Sequence, residues 1–255
     1  MIKKLSKHWF LFQELVKRDF KQKYKGTVMG MAWSVLSPLL TLLVMKIIFT
    51  KLFSRGEDYT TYLFSGTVFF NFYKEATKGG MTALTGNASI FTKINVPKYL
   101  FLLSKNVSAV INFGLTLVLF FIFVAIDKIP FGWHFLWIGY PIVYLIFFNI
   151  GVGLILSAMY IFFRDTRYLY DVFVLLLHYC SAIFYYVDSY DNAIIEKLFN
   201  INPVYLAIKY VRLVVLDGHP PTLQYHLLMV AWAAFVLLVG GFIYKKYNHK
   251  FLYYV

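Results

Sequence analysis

A single cysteine, Cys180, stands in 255 residues. No disulfide can form within the chain, and the redox compartment stays unread. Lying inside an apolar run, Cys180 is expected to be a small packing residue. Acidic residues are also scarce, twelve against twenty-five Lys and Arg. Only 15% of residues are charged and 60% are hydrophobic, whereas a soluble domain is about a quarter charged. That balance excludes an ordinary aqueous globule. No GxxxxGK[ST] loop occurs, so the chain does not hydrolyse ATP by that route. HExxH, GxSxG and Cys/His zinc spacings are missing, and the six histidines are dispersed. His178 is expected to be packed and hydrogen-bonded, not a metal ligand. Carboxylates placed to relay protons are few, and no inverted halves of a secondary carrier are visible. The net charge of +13 comes without any nucleic-acid-binding motif. Its Lys and Arg border apolar runs, the pattern of membrane topology signals.

What is present is a series of long apolar segments. A spanning helix needs about 20 mainly apolar residues. Val28–Phe53, Thr60–Leu84, Val107–Ile126, Phe135–Phe163, Tyr168–Val187 and Leu223–Tyr244 meet or approach that length. The second is the weakest, because Lys74, Glu75 and Lys78 crowd its end, and Pro141 permits a kink or tilt in the fourth. With the N-terminus inside, eighteen Lys and Arg fall on the cytoplasmic side and six outside. This predicts an all-α membrane protein with six transmembrane helices and both termini cytoplasmic. Met1–Thr27 has neither the short apolar core nor the cleavage site of a signal peptide.

Residues 5–24 repeat Leu5, Trp9, Phe12, Val16, Phe20 and Tyr24 at helical spacing, with Lys7, Lys17, Arg18, Lys21 and Lys23 between them. Residues 1–27 therefore predict a cytoplasmic amphipathic interfacial helix with Trp9 and Phe12 buried in the headgroup region. Residues 28–255 are read as one transmembrane domain. In "GNASIFTKINVPKYLF", Asn87 or Ser89 is placed to cap a short helix, Ile90, Phe91 and Ile94 give it an apolar face, and Pro97 ends it. Such a face seeks a partner groove or folds onto the membrane surface. Arg164-Asp165-Thr166-Arg167 interrupts the most apolar stretch and predicts a tight cytoplasmic hairpin. It is either a topology marker or a docking turn. Between the fifth and sixth spans, Asn202 and Pro203 open a helix that Gly218 closes. From Pro203 to Leu216 it is about 21 Å long, short of the roughly 30 Å hydrocarbon core. Ile194–Phe199 and Pro203–Leu216 are thus expected as a re-entrant helical pair entering from the outer face. Lys209 and Arg212 on it must face protein or water.

Taken together, "LVKRDFKQKYKGTVMGMAWSVLSPLL", "LTGNASIFTKINVPKYLFLLS", "LSAMYIFFRDTRYLYDV" and "LFNINPVYLAIKYVRLVVLDG" resemble the permease subunits of type-2 ABC exporters for polysaccharides, O-antigen and teichoic acid. The resemblance covers nearly the whole chain. It implies a homodimer in a bacterial inner or plasma membrane, paired with two copies of a separate ATPase that carries ATP and Mg. It also implies a polyprenyl-lipid-linked polymer as cargo, with no nucleic acid and no cofactor in this chain. By that analogy Asn87, Ile90, Phe91, Lys93, Ile94 and Pro97 form the ATPase-coupling helix, and Arg164, Asp165 and Arg167 a second contact. "SAIFYY" lacks the proline that many relatives carry, which predicts a straighter fifth span. The tail "YKKYNHKFLYYV" resembles the teichoic acid branch.

Lys46 has no acid three or four residues away. It either snorkels to the outer end of the first span or meets substrate phosphates. Lys46, Trp33, Tyr185 and Tyr186 are the candidates for the substrate path. Two other readings are a permease of the same architecture for a drug or smaller lipid, and a membrane-bound glycosyl- or acyltransferase. The latter requires a polar catalytic cluster at one face, and the sequence offers none.

Overall fold

The computed structural model describes residues 2–48, 58–94, 96–187 and 193–254. Ten α-helices are found among them. They are α1 (Ile2–Tyr24), α2 (Trp33–Lys46), α3 (Tyr59–Thr82), α4 (Ala88–Phe91), α5 (Tyr99–Ile126), α6 (Gly139–Phe162), α7 (Thr166–Tyr179), α8 (Ala193–Ile201), α9 (Pro203–Val215) and α10 (Leu223–Tyr247). No strand occurs among the described residues. Three helical stretches are long and apolar enough to cross a membrane: Tyr99–Ile126, Trp133–Phe162 and Leu223–Tyr247.

The centre of the bundle is α3. It is buried along most of its length against α5, α6 and α9. This explains its weak apolar signal in the sequence. A helix surrounded by protein need not present hydrocarbon to lipid, and several of its hydroxyls are satisfied locally. Ser65 donates to the Tyr62 carbonyl, Thr67 to Leu63 and Thr77 to Tyr73. Aromatic packing fills the rest. Phe64 meets Phe120 and Phe123 edge-on, and Phe72 stacks on Phe113 at 4.5 Å. On the other flank α6 and α10 pack closely where Gly151 faces Gly240, the small-residue solution for membrane helices.

Several boundaries depart from the sequence reading. The first span does not begin at Val28: Gly26 and Gly30 adopt positive φ, and α2 starts only at Trp33. Left-handed backbone at both glycines ends the preceding helix and turns the chain. Residues 49–57, where that span was expected to end, lie outside the described residues. Pro141 sits in the first turn of α6 and introduces no mid-helix break, since that position needs no intrahelical donor. The expected straight fifth span is also corrected. α7 stops at Tyr179 and the chain turns through Ala182, which has φ +49. Cys180 lies exposed at that helix end and is not a packing residue.

The turn after α7 is held from outside its own segment. Arg212 on α9 is only 7% exposed. Its guanidinium donates to the carbonyls of Ala182, Ile183 and Tyr62 and stacks 3.4 Å over the Tyr62 ring. Asn202 caps α9 through Val204 and Tyr205, as expected, and also donates to the Cys180 carbonyl. Gly218 closes the α9 end with φ +77. Arg212 thus faces protein, as expected of a charge on this helix.

Candidate functional site

One end of the bundle gathers α1, α4, the α6–α7 turn and the C-terminal segment. Leu15 of α1 is buried in a cluster with Phe91, Phe101, Ile161 and Phe251. Asp19, also buried, accepts from Ser104 and Lys105 of α5 and from Arg18. Arg18 also donates to Asn87 at the start of α4. The interfacial-helix residues and the coupling residues, read separately from the sequence, therefore meet here. Trp9 is exposed and Phe12 half-buried, with ring centroids 5.8 Å apart. They form an apolar edge beside the protein-facing side of α1.

Asn87 does not cap α4 with its side chain; it accepts from Arg18 and donates to the Ala83 carbonyl. A capping bond was expected from Asn87 or Ser89, and the Asn87 side-chain oxygen is taken up by Arg18 instead. α4 is a four-residue helix ending at Phe91, not at Pro97. Its apolar side chains divide: Phe91 is 4% exposed against Phe101, whereas Ile94 is 49% exposed. Ile90 and Pro97 are half-buried and Lys93 is exposed. Lys98 lies 5.8 Å over Phe91 and donates to the Asn248 carbonyl. Partial burial pushes its ammonium below the usual lysine range.

The hairpin lies at the same end. Arg164 and Asp165 are exposed between α6 and α7, Arg167 is exposed in the first turn of α7, and Arg164 stacks 5.4 Å over Tyr160. None of the three is in an ion pair among the described residues. Asp171, one turn on, pairs with Lys78 of α3 at 2.8 Å.

At the far end Lys46 of α2 lies 3.6 Å from Asp127 at the end of α5, which also accepts from Thr61 at 2.7 Å. The Asp127 side chain is 4% exposed and that of Lys46 is 36% exposed. Pairs between helices are invisible to a search at intrahelical spacing, so the sequence reading missed Asp127. Tyr186 packs 4.3 Å from Tyr62, and Tyr185 donates to the Tyr179 carbonyl. His178 is packed edge-on against Phe70 and Phe184, with no side-chain hydrogen bond among the described residues. No group that could hold a metal ion is found among the described residues.

Between these ends runs a cleft of about 580 Å³ bounded by α2, α3 and α5. Trp33 and Pro38 stand on one side and Phe72 and Phe113 on the other. Its polar lining comes from Ser34, Ser37, Thr41, Thr67, Asn71, Asn112 and Thr116, with Lys74, Glu75 and Lys78 toward the α1 end. Of the four candidates for a substrate path, Trp33 lines this cleft, and Lys46, Tyr185 and Tyr186 do not. Hydroxyls and amides donate and accept without fixed charge, and flat rings offer apolar faces. Apart from Lys74, Glu75 and Lys78 at one end, such a lining suits a polyhydroxylated solute.

A family model described as ABC-2 type transporter matches residues 10–216. Two proteins of Klebsiella pneumoniae, each named O-antigen export system permease protein RfbA, are similar along the chain. One is 27% identical over 251 residues and the other 28% identical over 253, each match covering 95% of this chain and 95% of the relative. A Myxococcus xanthus protein of the same name is 22% identical, over 98% of this chain and 97% of the relative.

Proposed function

The chain belongs to the ABC-2 type transporter family, and from that premise we propose that it is the permease of a polysaccharide exporter driven by a separate ATPase. The observation that carries this reading is the cleft between α2, α3 and α5. It lines an otherwise apolar bundle with hydroxyls, amides and flat rings. The full-length relatives named for O-antigen export support a glycan as cargo, in preference to a teichoic-acid-type polymer.

In this reading six crossings run through α2, α3, α5, α6, α7 and α10, and α8 with α9 forms the re-entrant pair. Helices α2 and α7, at 14 residues each, cover only part of their crossings. The α1 end faces the cytoplasm of a bacterial inner membrane, supported by eighteen Lys and Arg against six. A second copy of the chain completes the path, and the polymer travels on a polyprenyl lipid. Two ATPase subunits bind ATP and Mg and dock on exposed Lys93, Ile94, Arg164 and Arg167. Deleting the gene tests the proposal. Surface polysaccharide should disappear and the polymer accumulate in the cytoplasm, both reversed by restoring this chain. Unchanged surface polysaccharide would rule the proposal out.

A further inference from the structure

On the outside of the bundle, between α8 and α10, lies an apolar groove of about 510 Å³. Ile201 of α8 and Leu228, Ala231, Trp232 and Phe235 of α10 line it. Ile201, Leu228 and Phe235 are exposed. Along α10, Leu228 to Phe235 covers about 10 Å at 1.5 Å per residue. α10 is also one of the three helices long and apolar enough to cross a membrane. The groove therefore opens toward lipid.

One edge of the groove is polar, formed by Lys197 and Asn200 of α8. Lys197 is exposed and has no ion-pair partner among the described residues. Asn200 accepts at Oδ1 from the Tyr225 hydroxyl, so its amide hydrogens remain to donate. Lys209 lies 5.6 Å over the same Tyr225 ring and adds positive charge nearby. A cation beside an apolar trough in a low-dielectric setting calls for an anion whose remainder is apolar.

We propose that this groove seats one anionic phospholipid of the surrounding bilayer. Its acyl chain lies along α10 over Ala231, between Trp232 and Phe235. Its phosphate takes hydrogen bonds from Lys197 and Asn200. The inference rests on α10 facing lipid and is independent of the cargo exported.

Labelling of the full chain in nanodiscs tests it. Phosphatidylglycerol carrying a diazirine in its acyl chain is added to a phosphatidylcholine bilayer, and adducts are mapped by mass spectrometry. Adducts on residues 228–235 should exceed those at Val118 and Ile122, which are exposed on α5. Lys197→Gln should lower phosphatidylglycerol labelling about five-fold and leave the matching phosphatidylcholine probe unchanged. Ala231→Phe, which fills the trough, should lower both, and millimolar inorganic phosphate should compete with neither. Labelling of α10 no higher than of α5 overturns the site, as does labelling indifferent to Lys197→Gln. Crosslinks showing that a second copy of the chain covers the groove also overturn it.

Discussion

Asn112 of α5 donates its amide to the Glu75 carboxylate of α3 at 2.6 Å. The pair lines two cavities at once: the large cleft, and a smaller one of about 260 Å³ under α1 lined by Asp19, Gln22 and Lys105. Both residues therefore stand where a path from the α1 end would enter the cleft. Asn112→Leu leaves a half-buried carboxylate short of a donor, which costs about 1–3 kcal/mol. Lower thermal stability and reduced export are expected of Asn112→Leu. Glu75→Gln, which retains shape and an acceptor, should remain closer to wild type in a melting assay. Equal melting temperatures for wild type and Asn112→Leu would show that the bond carries little.

The Lys46–Asp127 pair yields a second expectation. Lys46→Gln strands a buried carboxylate that keeps only Thr61 among the described residues. The cost should be about 1–3 kcal/mol. The double variant Lys46→Gln/Asp127→Asn removes the stranded charge and should recover most of the loss. Comparing melting temperatures across wild type, both singles and the double measures the coupling. Strict additivity would mean that the two side chains do not interact.

Phe91 and Ile94 should separate cleanly. Phe91→Ala empties a packed site at the α1 end and is expected to cost about 3–5 kcal/mol, with lower protein yield. Ile94→Asp changes an exposed side chain, so the fold should hold while ATP-driven export fails. If Ile94→Asp exports normally at matched protein levels, Ile94 is not part of the ATPase contact.

The α6–α10 crossing tolerates no added carbon. A Cβ on Gly240 would lie 2.5 Å from the Gly151 carbonyl oxygen, whereas one on Gly241 would meet nothing within 4 Å. Gly240→Ala should therefore lower the melting temperature and Gly241→Ala should leave it unchanged. Indistinguishable melting curves would contradict the close approach.

Much of the bundle was legible from hydrophobic runs and caps. α5, α6 and α10 match their runs to within a few residues at one end or the other, and Asn202, Pro203 and Gly218 bracket α9. These features depend on local chemistry. The features missed depend on partners distant in sequence. Nothing in "HYCSAIFYY" announces a stop, because no Gly or Pro is present. The turn there is held by Arg212, Tyr62 and Asn202. Asp19, which the sequence reading passed over, is bound by Ser104 and Lys105 of α5. In the candidate site only Trp33 was foreseen. The polar wall of the cleft is spread over three helices, with one or two residues per turn, too thin a signal for any single segment to carry.

The central claim is that polymer moves through the cleft between α2, α3 and α5, and site-specific crosslinking tests it most directly. A photoreactive residue is placed at Thr116 or Asn71, which line the cleft, or at Val118 and Leu238, which are exposed on the bundle surface. Cells are irradiated during active export, and the purified protein is probed with an antibody to the polysaccharide. The account predicts a ladder of polymer-bearing species from Thr116 and Asn71 and none from Val118 or Leu238. Polymer attached equally at all four positions, or at none while export proceeds, would contradict it.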